Sequence, residues 1–263
     1  MELRRIDIVL PRSWQELSQA QLRQLLSVIV NIQRINENKA WRDKEDYAAS
    51  VSAQIQTRCV LLWCDMHVVC RYGRNWLVDI AGEEYVISAE AIAAAAARLD
   101  WVSLPPEVPV RLDSVDGAKA APADLHTGLT FDKWLTCETL WQAYIARQDD
   151  HLLRQMAAHL YSKDDININD AETLGIFYWW VGVKNLYSRL FPHFFSPGAM
   201  TEGGSAFDAD SQRRSIDSQI RALTKGDITK ESTVLAMDAF RAITELDALA
   251  REYDELNKKY PKK

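Results

Sequence analysis

Residues 177–195, FYWWVGVKNLYSRLFPHFF, place eight aromatic side chains within 19 positions. No other stretch of the chain constrains its fold as strongly. Ile176, Trp180, Val183, Tyr187 and Leu190 recur at helical spacing on one stripe, and Phe177 and Val181 on a second. Trp179 and Leu186 widen the apolar surface. A helix that is apolar nearly all round is either buried at the centre of a fold or docked on a partner. General burial statistics favour the first. Under the second, Trp179, Trp180, Tyr187, Phe191 and Phe194 are the interaction residues, because aromatic side chains are enriched at interface centres. Gly175 and Gly182, seven apart, would let another helix approach closely.

The remaining pattern is mainly α, a helical bundle-like core with a small antiparallel β element near residues 67–87. Ile6, Ile8 and Leu10 alternate with polar residues and predict a short strand that ends at Pro11. Ser18 with Gln21 forms a capping box ahead of Leu22, Leu25, Leu26, Ile29 and Ile32. A polar turn over 36–46, with Trp41 inside it, precedes a second amphipathic helix from Tyr47 to Leu62. Val68-Val69, Trp76-Leu77-Val78 and Tyr85-Val86-Ile87 are β-prone runs punctuated by Gly73 and Gly82, which predicts a meander. Ser88 caps an alanine-rich helix.

Residues 102–128 hold four of the eight prolines. Proline fixes φ and removes an N–H, so regular structure is disfavoured there. The expected division is an N-terminal α+β part over 1–102, a Pro-rich linker or wrapping loop over 103–128, and a C-terminal helical part over 129–263. Within the last part, Thr130 and Asp170 are the expected caps of two helices. Val234, Met237, Phe240, Ile243, Leu246 and Leu249 predict one long final helix. Its three-residue steps make the apolar stripe drift, which suits an irregular groove better than a coiled-coil seam.

A net charge of −6 argues against a broad nucleic-acid surface. Glu172, Lys184 and Arg189 interrupt the aromatic segment, so nothing reaches the length of a membrane span. The N-terminus has no apolar run of signal-peptide length, which predicts a cytoplasmic location. The four cysteines do not read as a disulfide framework in a chain of 263 residues.

Chemistry is sparse. Cys59, Cys64, His67 and Cys70 put four zinc-type ligands within twelve positions, the weak metal candidates of this chain. Their spacing fits zinc motifs loosely, and buried cysteine also serves as a small hydrophobe. The acidic run from Asp164 to Asp170 lacks the glycine and the final glutamate of a calcium loop. His151 and His159 are eight apart and can share a helix face. No catalytic residue is assigned and no cofactor is expected. An enzyme or metal protein centred on Cys59–Cys70, or a ligand module with a pocket beside Trp179 and Trp180, is the alternative.

Two stretches resemble a known class. LPRSWQELS at 10–18, ending in Gln21-Leu22, and IRALTKGDI at 220–228 with ALAREYDEL at 248–256 are similar to accessory structural and tail-assembly proteins of prophages in Bacteroidetes-type bacteria. The resemblance covers about a quarter of the chain. It implies a morphogenesis or scaffolding role through protein contacts, with other phage structural proteins as partners and a virion-associated location. It transfers no catalytic residue and leaves the oligomeric state open.

Overall fold

The first helix begins where Ser18 and Gln21 predict it. The Ser18 N–H donates to Gln21 Oε1 (3.0 Å) and the Gln21 N–H to Ser18 Oγ (3.2 Å). Two orphan donors of the helix end are satisfied reciprocally. The computed structural model describes residues 8–36, 46–195 and 209–259. The polar turn with Trp41, most of the predicted N-terminal strand and the basic tail from Tyr260 lie outside these residues. Of that strand, Ile8 to Leu10 are described and are not regular.

Two compact units are present, Met1–Pro106 with Asp170–Leu174, and Glu107–Asn169 with Gly175–Lys263. In the first, α1 (Gln19–Asn36) packs on α2 (Tyr47–Trp63) and buries Leu22, Leu25, Leu26 and Ile29. An antiparallel meander follows, β1 (Met66–Tyr72), β2 (Asn75–Ile80) and β3 (Glu83–Ser88). Its two hairpin loops have two residues each. Ala81 and Gly82 both take positive φ, as the tight turn between twisted strands requires. Met66, Val78 and Ile87 on the inner face pack with Ile92 of α3 (Ala89–Ala97). Ser88 Oγ accepts from the Ala91 N–H at 3.0 Å and starts that helix.

The second unit opens with the Pro-rich stretch. From Glu107 onward that stretch is a packed layer of this unit, not a separate linker. It carries only one small hairpin, β4 (Ser114–Val115) with β5 (Ala118–Lys119), yet buries Leu112, Val115, Ala120 and Leu125. Then come α4 (Phe131–Arg147), α5 (Asp150–Leu160), α6 (Asp170–Leu190), α7 (Ala209–Thr224), α8 (Glu231–Ala236) and α9 (Ala239–Lys259). Asp170 is the first residue of α6, one place inside the expected cap.

The predicted long final helix is broken between α8 and α9. Met237 is extended (φ −71°, ψ 161°), and Asp238 bridges to Thr130. The Phe131 N–H donates to Met237 O (2.8 Å) and the Ala239 N–H to Leu129 O (2.9 Å). Thr130 makes no side-chain cap, so Met237 supplies the acceptor for the orphan N–H at the start of α4. The break also resets the drifting stripe. Val234 is buried on α8, and Ala239, Ala242, Ile243 and Leu246 are buried on α9.

Among the described residues, no helix is long and apolar enough to cross a membrane.

Candidate functional site

The aromatic residues expected at an interface form the core of the second unit. Trp179, Trp180, Tyr187 and Phe191 are all buried, and Phe194 is half-buried against Phe195 (centroids 4.9 Å apart). Trp134 of α4 lies 4.9 Å from Trp180 and stacks on Tyr187 at 5.0 Å. Phe240 of α9 meets Tyr187 and Phe191 edge to face at 5.8 and 5.2 Å. With rings of α4 and α9 packed on it and the Pro-rich stretch against it, α6 needs apolar residues on nearly every side. This packing takes Trp179, Trp180, Tyr187 and Phe191 out of the solvent-facing surface of the unit.

The polar ends of these rings hold the Pro-rich stretch. Trp179 Nε1 donates to Ala123 O (2.7 Å), Tyr187 Oη to Leu125 O (3.0 Å) and Tyr161 Oη to Leu112 O (2.8 Å). Burial raises the Tyr187 hydroxyl pKa above its ordinary value, with Asp124 adding to the shift, so it stays a donor. A segment that prolines keep out of a ladder leaves carbonyls without partners, and buried carbonyls need donors. Gly182 completes the seat. Its Cα faces Val108 and Pro109 so closely that an added Cβ would lie 2.6 Å from Val108 O. What approaches this glycine is an irregular strap, not the helix that the glycine spacing suggested.

Beyond the aromatic core, Asp247 of α9 accepts from the His193 and Phe194 N–H groups at 2.8 and 2.9 Å. This fixes the chain just after α6.

The metal candidates do not converge. Cys59 is buried on α2, Cys64 follows that helix, and His67 and Cys70 lie exposed on β1. Burial pushes the Cys59 thiol up to about 12 and raises Cys64, with Arg98 opposing the second shift. Metal ligation needs thiolate, which such shifts disfavour. Among the described residues, no group of three or more His, Cys, Asp or Glu side chains could hold a metal ion.

His151 and His159 do share a groove. It has a volume of about 550 Å³ and is lined also by Leu140, Arg154, Asp164 and Asn167. Eight residues span about 12 Å along a helix, too far for both imidazoles to act on one atom. The groove offers separated polar contacts rather than an acid–base pair. Burial lowers the His159 pKa and Lys133 adds to this, while Asp132 and Asp164 oppose it. The unfolded imidazole, near 6.5, therefore binds its proton first as pH falls. Stability is full above that value and declines as pH drops through it towards the folded pKa. His159→Gln is expected to narrow the gap between urea midpoints measured at neutral pH and at about pH 5.5. An unchanged gap contradicts the assignment.

One exposed apolar surface lies on the outer face of the meander. The register aligns Cys70, Leu77 and Val86 in one row across the three strands, beside the row of Tyr72, Asn75 and Ser88. Tyr72 is 63% exposed and Val86 43%. Val69, 53% exposed, sits where the β1 register slips between Val68 and Cys70. The solvated face of an antiparallel sheet ordinarily carries polar residues. Sequence reasoning placed these strands but missed this face. The one available signal was Leu77 between the outward Asn75 and Asp79.

Compared with known protein families, curated proteins and solved structures, the chain matches none.

Proposed function

We propose that this chain is a non-enzymatic assembly protein that acts through protein contacts, with the outer face of the meander as its docking surface. The observation that carries this is the apolar row of Cys70, Leu77 and Val86 with Tyr72 beside it, in which Leu77 is half-buried and the other three are exposed. Contiguous exposed apolar surface marks interaction sites. The inner face of the same sheet already serves the core through Met66, Val78 and Ile87, so the outer row adds nothing to that core. The motifs at 10–22, 220–228 and 248–256 support a phage particle or tail as the setting and structural proteins as the partners. In the fold, the first of these motifs makes the turn Trp14–Glu16 and the α1 cap.

The test replaces Tyr72 and Val86 with glutamate in the cells that make the protein. Both side chains point outward, so the variant should accumulate folded at the wild-type level. Sizing of the lysate should show the wild-type chain at a higher mass than the variant, which loses whatever docks on this face. A variant that elutes at the wild-type mass, or a wild-type chain that elutes as a monomer, overturns the proposal.

A further inference from the structure

Among the described residues, a second unpartnered apolar feature lies between α1 and α2. There a groove of about 770 Å³ is lined by Val28, Ile32 and Ile35 from one helix and Ala53, Thr57 and Leu61 from the other. The first three are spaced i, i+4, i+7, and the second three i, i+4, i+8. Two such rows side by side are what a third helix packs into. Ile35 is 62% exposed, so the groove stands open. Ala53 and Thr57 are small, which would let a helix backbone come close.

The chain also carries a helix end of matching form. The first half of α9 is spent on its own unit through Ala239, Ala242, Ile243 and Leu246. The second half continues the stripe with Leu249, Tyr253 and Leu256, again i, i+4, i+7. Tyr253 is 59% exposed and Leu256 57%. Each three-residue row covers about 10 Å of helix, so the two match in length. Charges of opposite sign flank the two rows, alongside the exposed Arg251, Lys258 and Lys259 on the same end of α9. Exposed Arg58 and Arg34 line the groove, while Glu252 and Glu255 are exposed beside the leucines of α9. Arg34 already holds Asp170 at 2.6 Å, which leaves Arg58 as the principal cation for the newcomer.

We infer that the C-terminal half of α9 from one copy of this chain docks in the α1–α2 groove of a second copy. Arm and groove are different surfaces, so the contact is head to tail. Each bound copy still presents one free arm and one free groove, and association continues into a ring or an open filament. The inference rests on the assembly reading, to which it adds the chain itself as a partner.

The experiment is sedimentation of the pure full-length chain over a concentration series, with two variants. Tyr253→Glu with Leu256→Glu disables the arm, and Ile35→Glu disables the groove. All three positions are more than half exposed, so both variants should melt like the wild type. The wild-type mass is expected to grow with concentration, while each variant alone stays monomeric. An equimolar mixture of the two retains one intact arm and one intact groove, and should stop at a dimer. Should either variant fail to fold, Arg58→Glu supplies the weakened contact and its combination with Glu252→Arg the rescue. A wild-type chain that is monomeric throughout overturns the inference. So do variants that assemble like the wild type, or a mixture that stays monomeric while the wild type assembles. If the pure chain is monomeric but still enters high-mass fractions in cells through Tyr72 and Val86, self-docking fails and the sheet-face proposal stands.

Discussion

Trp180→Ala is expected to cost about 3–5 kcal/mol of stability, the largest loss of any single truncation considered for this chain. Trp180 is fully buried and sits 4.9 Å from Trp134, which in turn stacks on Tyr187. Removing the indole leaves a cavity walled by other large rings, and rings cannot collapse inward as flexible side chains do. Tyr253→Ala, on the exposed end of α9, should change stability by only about 0.5 kcal/mol in dilute protein. Urea melts of the two variants measure the difference. Equal midpoints contradict the core assignment of the aromatic helix. The Trp180 indole N–H is buried with no hydrogen-bond partner among the described residues. Trp180→Phe removes that unpaired donor and should therefore cost clearly less than the alanine variant.

Gly182→Ala is the second large effect, and its sign is diagnostic. Helix propensity alone makes alanine better than glycine in a helix interior by about 1 kcal/mol. The new Cβ would instead meet backbone, at 2.6 Å from Val108 O and 2.7 Å from Pro109 Cα. Backbone held by a proline ring does not move aside easily. Four donors also pin the strap on either side of the contact, from Trp179, Tyr187, Tyr161 and Arg189, the last reaching Glu107 O at 2.8 Å. Shifting the strap lengthens these bonds together. The expected net loss is about 3 kcal/mol, the upper range for overpacking. A variant that melts at a higher denaturant concentration than the wild type would show that the strap does not lie on Gly182.

These two positions mark where the sequence could be read and where it could not. The capping box at Ser18, the meander and the alanine helix after Ser88 were legible because each depends on neighbours within a few residues. The aromatic helix was legible as a helix but not as core. An all-round apolar surface has the same pattern whether its cover comes from the same chain or another. The break at Met237 and Asp238 has no glycine or proline to announce it. It is set by hydrogen bonds to Leu129 and Phe131, more than a hundred residues earlier. The outer sheet face was hidden for a similar reason. Cys70, Leu77 and Val86 become one row only through the register, and a slip in β1 decides which of its side chains join it. Wrapping of the Pro-rich stretch was one of two readings left open by composition. The choice depends on donors supplied by Tyr161, Trp179 and Tyr187, which lie outside that stretch.

Hydroxyl-radical footprinting of the chain, first pure and dilute and then within its high-mass assembly, tests the account most directly. Trp179, Trp180 and Tyr187 should resist oxidation in both samples, because the fold itself covers them. Tyr72 should be oxidised readily in the dilute chain and protected in the assembly. The account is contradicted if Tyr72 stays reactive in the assembly, or if Trp180 is reactive in the dilute chain and becomes protected on assembly.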